Sequence, residues 1–239
     1  MRFRSSARAL RLPRSDLPEP GVDRRRRGVI TRAGLGVAAW LSMLVWPARV
    51  RAGAQQYETM ADAVRNAMAA QIADPRPALR NFDNVEERVE FIQWLGTMSE
   101  RLKARAPDYQ TRMEFLRTLD YECLRAGLDR QMVLGLIEVE SNFRKYAISA
   151  AGARGYMQVM PFWTELIGDG DARKLFDMRT NLRYGCQILR HYIDLEKGDL
   201  FMVLGRYNGS RGRGEYPNAV HAAWKKNWSY VVKPLKKSG

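Results

Sequence analysis

The sequence predicts an all-α fold, and three observations lead to this prediction. From residue 55 onward, apolar residues recur every three or four positions along most segments, which is the period of an amphipathic helix. Residues that cap or stop helices stand between these segments. No run of alternating apolar and polar residues is long enough to indicate a β-strand.

The segments before residue 108 predict an N-terminal helical extension, residues 55–107. Tyr57–Ile72 is rich in Ala and Met and contains no helix breaker. A stiff, turn-like linker with two prolines follows at residues 74–77. Asn84–Arg105 then predicts a second helix with one apolar stripe, formed by Val85, Val89, Ile92, Leu95 and Leu102.

The rest of the chain, residues 108–239, predicts the main helical domain. Pro107 ends the preceding helix, Asp108 opens the next, and Gly127 is placed to end it. Asp129 is placed to cap the helix that follows. The further predicted helices are Arg130–Ser141, Pro161–Ile167, Met178–Lys197, Asp199–Tyr207 and Pro217–Val232.

The positive charge of the chain is concentrated near its N-terminus. The formal net charge is +14. Residues 1–54 contain 12 Lys and Arg against 3 Asp and Glu, whereas residues 55–239 contain 28 against 23. The second region contains no basic run typical of nucleic-acid-binding proteins, so the composition argues against a nucleic-acid partner. Its mild basicity suits an anionic polymer.

The first 54 residues predict an export signal and a preceding extension. Arg24–Arg27 and Arg32 form a positive region, and Gly34–Trp46 is uncharged and mostly apolar. Residues 52–54 fit a small-x-small cleavage site. We therefore expect cleavage after Ala54, which makes Gln55 the first residue of the exported protein.

An uncleaved membrane anchor is the alternative for this segment. The uncharged stretch Ala33–Ala48 has 16 residues, fewer than the ~20 that span a bilayer. Length therefore favours a cleaved signal over an anchor. Arg26-Arg27 loosely resembles a twin-arginine signal, so the export route stays open.

Cys123 and Cys186 are the two cysteines of the chain. They lack the C-x-x-C spacing of zinc and redox sites. In an oxidising compartment such a pair suggests one structural disulfide, and two buried free thiols are the alternative. Because no cluster of residues has metal-ligand spacing and no phosphate-binding loop is present, we expect neither a metal nor a cofactor.

Two acids near the end of one apolar helix are the main candidates for chemistry. Glu138 and Glu140 stand two positions apart, so they point to different sides of the predicted helix Arg130–Ser141. Glu140 shares the apolar face with Leu136 and Ile137. Burial there disfavours a charged carboxylate, which suits a general acid. Without further context, a helix-end glutamate held by an arginine is the simpler interpretation.

Several short motifs follow in a fixed order from this helix end. They are Glu140-Ser141, Ser149-Ala-Ala-Gly-Ala153, Gly155-Tyr-Met-Gln-Val-Met-Pro161, Leu175-Phe176-Asp177 with Thr180-Asn181-Leu182, Tyr207-Asn208-Gly209, and Tyr216-Pro217. Together they resemble the signature of bacterial lytic transglycosylases of the soluble type, the SLT domain. The resemblance covers roughly Asp129–Trp228.

The resemblance implies a lysozyme-like helical domain of the goose-lysozyme kind and a peptidoglycan-cleaving activity. The substrate bond would be the β-1,4 bond from N-acetylmuramic acid to N-acetylglucosamine. Glu140 would be the single general acid and base, and the product would carry a 1,6-anhydromuramic ring. A periplasmic location and peptidoglycan glycan strands as the binding partner follow from the same resemblance.

The resemblance also implies roles for other residues. Ser149 would contact Glu140 or the substrate N-acetyl group, and Gln158 and Met160 would line the cleft. Tyr207 would form a hydrogen bond near Glu140 and orient it. Asn208 would shape the cleft. For three further positions the expectations are structural or open: Ser141 secures the helix end, Asn181 contacts the cleft or caps the long helix, and Asp177 caps a helix.

Two positions depart from the family pattern. Tyr156 stands where the family usually has Leu, and Arg206 stands where it usually has Ala. Neither change removes a catalytic group, but both put the substrate preference in doubt. A hydrolase on the same fold and a catalytically inactive wall-binding protein remain as alternatives. We expect a monomer and leave open a partner in the cell-envelope machinery.

Overall fold

The computed structural model describes residues 54–74, 76 and 79–231. The predicted export signal and the extension before it lie outside this range, apart from Ala54. The described residues form eight α-helices: α1 Asp62–Ala73, α2 Val85–Leu102, α3 Tyr109–Ala126, α4 Arg130–Ser141, α5 Phe162–Ile167, α6 Met178–Leu195, α7 Leu200–Tyr207 and α8 Glu215–Ala223. A 3₁₀ turn, Ala172–Phe176, precedes α6, and a π-helical turn, Trp224–Trp228, follows α8.

The all-α class predicted from the sequence is confirmed. Over the described residues, β-structure is limited to two isolated bridges, Ile148 with Arg154 and Arg154 with Val159. None of the helices in the described ranges is both long and apolar enough to cross a membrane.

Side-chain caps explain where five of the helices begin. Each capping carboxylate or amide accepts a hydrogen bond from a backbone N–H of the first turn, and such a cap stabilises a helix by about 1 kcal/mol. The caps predicted at Asp108, Asp129 and Asp177 are confirmed. Gly127 ends α3 with φ of 62°, a left-handed conformation that glycine adopts without strain. The complete set of caps is Asn84, Asp108, Asp129, Asp177 and Asp199.

Helix α4 lies at the centre of the core. It packs against α8, the π-helical turn and α3. Its apolar residues are almost completely buried, which explains why its sequence is apolar on nearly every side. At Gly135 a Cβ atom would lie 2.8 Å from the backbone N of Trp224. Glycine therefore lets the π-helical turn approach the helix closely.

The start of α1 and the end of the chain differ from the sequence prediction. Helix α1 begins at Asp62 rather than Tyr57, and residues 54–61, which we call the strap, have no regular secondary structure. The strap contacts residues 158–162 and Arg206, and these distant contacts override local helix propensity. Near the other end, one long helix was expected, but α8 is followed by the π-helical turn.

The apolar stripe of α2 was predicted with the right period but partly on the wrong face. Val85 and Ile92 are 70% and 56% exposed. The buried face instead carries Trp94 and Met98, together with the predicted Leu95 and Leu102. Counting aliphatic residues alone missed Trp94, the largest apolar side chain of this helix.

Helices α3 and α6 are joined by a buried ion-pair cluster around Glu122. The carboxylate of Glu122 accepts from Nε of Arg183, at 3.1 Å, and from Arg125, also at 3.1 Å. Arg183 donates in addition to the carbonyl groups of Ile72 and Asp74. The cluster therefore fixes the end of α1 against the main helical domain.

Candidate active site

The C-terminal end of α4 brings Glu140 into the core beside an open cavity. Glu140 is 4% exposed. The phenol O–H of Tyr216, on α8, donates to Oε1 of Glu140 at 2.5 Å. Burial is the largest cause, and the negative charge of Glu140 the second, that raises the pKa of Tyr216 well above its usual value. The phenol therefore stays protonated and remains a hydrogen-bond donor to the acid.

Glu138, two positions earlier, serves a structural purpose. Its carboxylate forms an ion pair with Arg105 at 2.7 Å. It also accepts hydrogen bonds from Asn227 at 2.9 Å and from the indole N–H of Trp228 at 2.6 Å. The simpler interpretation of a helix-end glutamate held by an arginine thus applies to Glu138, which fastens the π-helical turn and the segment after α2 to α4.

A cavity of about 520 Å³ opens in front of Glu140. Glu140 is the only acid among the described residues that line it. The remaining lining comes from the strap and from the loop after α4: Ala54, Arg144, Ala147, Ile148, Ser149, Ala150, Ala151 and Gln158. The cavity thus combines one buried carboxyl group with a wall of small residues and backbone.

The loop after α4 is held by its own backbone and by Gln158. The backbone N–H of Ser149 donates to the carbonyl of Ala153 at 3.0 Å, and the Ser149 hydroxyl accepts from the Ala153 N–H at 3.1 Å. Gln158 adopts a left-handed φ of 48°. Its side-chain amide donates to the carbonyls of Ala147, at 3.1 Å, and Gly155, at 2.9 Å. Ser149 and Gln158 both line the cavity.

Asn181 does not cap the long helix, because Asp177 occupies that position. Asn181 is completely buried. Its side chain accepts from the N–H of Met157 at 2.8 Å and donates to the carbonyls of Arg154 and Leu175, at 2.9 and 2.8 Å. The amide of Asn181 thus fixes the backbone that carries Gln158, and its effect on the cavity is indirect.

Tyr207 is buried in the core and forms a hydrogen bond to the backbone of Met157. It is completely buried, and its O–H donates to the carbonyl of Met157 at 2.8 Å. Burial, and next the charge of Glu140, raises its pKa well above the usual value. Tyr216 makes a hydrogen bond that can orient Glu140, and the role expected of Tyr207 stays a prediction.

Ser141, Asn208 and Met160 complete the residues singled out from the sequence. The Ser141 hydroxyl donates to the carbonyl of Tyr156 at 2.7 Å, which ties the end of α4 to the loop. The side-chain N–H of Asn208 donates to Ser210 at 3.0 Å. Oδ1 of Asn208 is buried without a hydrogen-bond partner among the described residues. Met160 is half-buried, and its backbone N–H donates to Gln55 at 3.1 Å.

Sequence analysis missed two residues of the site. Tyr216 is 76 positions from Glu140, and its motif was recognised without a role for the phenol. Gln55 is more than 100 positions from its partners Gln158 and Met160. No local spacing pattern connects residues so far apart, so neither contact could be found from periodicity.

The two cysteines lie next to each other between α3 and α6, as buried free thiols. Of the two alternatives from the sequence, the structure therefore shows the pair without a disulfide. Burial, together with the hydrogen bond to Cys186, raises the pKa of Cys123 well above its usual value. Both thiols are thus packing residues of the core.

The helical fold and the single buried acid at an open cavity define a lysozyme-like helical domain. Residues 119–229 match the family model of the transglycosylase SLT domain. This match supports the soluble-type lytic transglycosylase that the sequence motifs resembled.

Several curated proteins named membrane-bound lytic murein transglycosylase C are similar to the chain. The protein from Mannheimia succiniciproducens is 32% identical over 98 residues, which cover 41% of this chain and 25% of that protein. The protein from Glaesserella parasuis serovar 5 is 54% identical over 82 residues, which cover 34% and 21%. The chain thus spans about a quarter of the length of these relatives.

Proposed function

We propose that the chain is a peptidoglycan lytic transglycosylase in which Glu140 acts as the single general acid and base. The observation that carries the proposal is the buried Glu140, with its Tyr216 hydrogen bond, as the sole acid among the described residues of the cavity wall. The match of residues 119–229 to the SLT family model supports the same activity.

The chemistry needs one carboxyl group used twice. Protonated Glu140 donates its proton to the glycosidic oxygen as positive charge develops on the muramic C1. The resulting carboxylate then takes the proton of the muramic C6 hydroxyl, whose oxygen attacks C1 and closes the 1,6-anhydro ring. Because the nucleophile belongs to the same sugar, its effective concentration exceeds that of water.

Tyr216 assists both halves of this cycle. Its O–H donates to Oε1 of Glu140 at 2.5 Å, which keeps the carboxyl group in one orientation. The same bond strengthens when Glu140 becomes a carboxylate, because hydrogen bonds to charged acceptors are stronger than those to neutral ones. Tyr216 is therefore a positioning residue for the acid.

The absence of a second acid in the described cavity wall favours the transglycosylase over a hydrolase. Most glycosidases use two carboxyl groups, about 5–9.5 Å apart, one of which serves as nucleophile or activates water. An internal C6 hydroxyl removes that need. Ser149 and Gln158 line this cavity, and we expect both to contact the glycan.

The remaining parts of the proposal concern location and organisation. Residues 1–54 direct export to the periplasm, residues 55–107 form the helical extension, and residues 108–239 form the catalytic domain. Peptidoglycan strands are the binding partner, and the protein acts as a monomer. The export pattern of the sequence and the cell-wall polymer named in its relatives support this location.

The test is mass analysis of the products formed from purified peptidoglycan by the wild type and by Glu140→Gln. We expect anhydro-muropeptides from the wild type and a loss of at least about 100-fold in the variant, because a general acid contributes about that much. Glu138→Gln is the matched control, since it makes the same change two positions away and should keep the activity.

Other outcomes would contradict the proposal in different ways. Products with a reducing end that depend on Glu140 would identify a hydrolase. No product from any of the three proteins, each shown to be folded, would favour a wall-binding role. Equal activity of the wild type and Glu140→Gln would remove Glu140 from the mechanism.

A further inference from the structure

The strap buries the side chain of Gln55 next to the wall of the proposed active site, which its neighbour Ala54 and its partner Gln158 line. Gln55 is 3% exposed, although Ala54 and Gln56 on either side of it are exposed. Its Nε2 donates to the carbonyl of Gln158 at 3.2 Å, and its Oε1 accepts from the N–H of Met160 at 3.1 Å. A single primary amide thus pairs with a backbone acceptor and a backbone donor two residues apart.

This pairing is the one that an acetamido group would make. An acetamido group presents an N–H donor and a carbonyl acceptor on one planar unit, as the Gln55 side chain does. Both sugars of the proposed substrate carry this group. Gln158 and Ala54 also line the cavity of Glu140, so the amide lies beside the site of the proposed reaction.

Besides the hydrogen bonds of the buried Gln55, two contacts nearer the surface hold the strap. Glu58 forms an ion pair with Arg206, and the two side chains are 43% and 19% exposed. The ring of Tyr57 meets Phe162 edge-on, with centroids 5.8 Å apart. An ion pair so open to water contributes little stability and weakens with salt. Apart from the Gln55 hydrogen bonds, the strap is therefore held by contacts that add little stability.

Two residues outside the strap, Arg206 and Gly209, are suited to the position that the strap takes. Arg206 is one of the two positions at which the sequence departs from the family pattern. Its guanidinium is held by Glu196 at 2.6 Å. Hydrogen bonds from Arg211, and then from Arg206, lower the pKa of Glu196 to about 2, so this partner stays charged. At Gly209 any side chain would collide with the carbonyl of Ala54, a contact that belongs to the chain before the proposed cleavage.

We propose that the strap is a self-inhibitory element whose Gln55 amide occupies the position of a glycan acetamido group. The glycan must displace the strap before it can fill the cavity. This inference rests on the proposed function for the identity of the glycan, and it assigns to Arg206 the role of holding the closed strap.

Binding of chitotriose, a trimer of N-acetylglucosamine, tests the inference by calorimetry on the full chain in a Glu140→Gln background. Gln55→Ala removes the amide, and Glu58→Gln weakens the pairing with Arg206 at an exposed position. We expect both to bind chitotriose more tightly, Gln55→Ala by about 10-fold if the strap is closed about 90% of the time. Gln56→Ala is the matched control and should leave the affinity unchanged.

Hydrogen exchange at the Met160 amide gives a second measurement that does not depend on activity. The exchange should be faster in Gln55→Ala and in Glu58→Gln than in the parent, and unchanged in Gln56→Ala. Equal or weaker chitotriose binding by both strap variants would overturn the inference and make Gln55 an ordinary wall residue. Because Glu58 is exposed, Glu58→Gln should fold normally even if Gln55→Ala does not, so the test does not depend on Gln55→Ala alone.

The inference and the proposed function can fail separately. Anhydro-muropeptides from the wild type, with no gain in chitotriose affinity in the strap variants, would overturn the inference alone. Tighter chitotriose binding by the strap variants, with no anhydro product from proteins that retain Glu140, would overturn the proposed function and keep the strap as a cover over a sugar site.

Discussion

Glu138 and Glu140 show how two identical side chains on one helix acquire different purposes from their partners. Glu138 receives a guanidinium, an amide and an indole N–H. Glu140 receives a phenol and faces a cavity. The sequence predicted that the two acids point to different sides and that Glu140 faces the apolar one. It could not supply their partners. Tyr216 and the residues of the π-helical turn lie 76 or more positions further along the chain.

The Tyr216 hydrogen bond leads to a prediction at the residue scale. Tyr216→Phe should lower the rate of anhydro-muropeptide formation by about 10- to 100-fold, because a hydrogen bond to a charged group contributes about 1.5–3 kcal/mol. The measurement is the initial rate of product formation at saturating peptidoglycan, together with a melting curve to confirm the fold.

Tyr184→Phe is the control for this prediction. Tyr184 is also a buried tyrosine, but it lines a separate cavity with residues of α1 and α5. Its variant should keep the wild-type rate. If Tyr216→Phe also kept that rate while remaining folded, the phenol would not position the acid.

At the scale of the helices, the sequence predicts best those elements whose ends and faces are set by local contacts. Helices α3, α4, α6 and α7 carry their own caps and apolar faces, so their existence and starts were predicted closely. The strap was predicted as part of a helix because its Ala- and Met-rich neighbourhood contains no breaker. Its true conformation depends on partners more than 100 residues away, which no window of sequence contains.

Close packing of α4 against the π-helical turn gives a prediction at this scale. Gly135→Ala should destabilise the protein by about 1–3 kcal/mol, because the new Cβ would lie 2.8 Å from the backbone N of Trp224 and overpack the contact. Denaturant unfolding of the purified protein measures the change.

Gly96→Ala is the matched control for this contact. Gly96 lies inside α2, and a Cβ there would meet no atom within 4 Å. The same substitution should therefore stabilise the protein by about 0.5–1 kcal/mol through helix propensity. A neutral or stabilising Gly135→Ala would show that the π-helical turn yields without cost.

For the whole molecule, the distribution of charge separates the segment predicted to be removed from the rest of the chain. Residues 55–239 keep a net charge of +5 of the original +14. Such a modest excess suits a protein that approaches an anionic wall without binding polyanions indiscriminately. Removal of the first 54 residues would leave Gln55 as the terminal residue of the exported protein.

Export with cleavage after Ala54 is a prediction for the whole chain. The protein recovered from the periplasm of an expressing bacterium should begin at Gln55, as intact mass and terminal peptide analysis would show. Ala52→Tyr places a large residue in the small-x-small site and should leave the precursor uncut. Recovery of an intact first segment from the wild type would instead indicate a retained anchor.

The burial of Cys123 and Cys186 has a practical consequence for following the strap. These are the only two cysteines in the chain, and thiol reagents in water reach neither while the protein is folded. A third cysteine placed at the exposed Gln56 would therefore take a spin label or a fluorophore selectively, with the native pair left in place. The opening of the strap could then be followed as a change in the environment of a single probe when sugar is added.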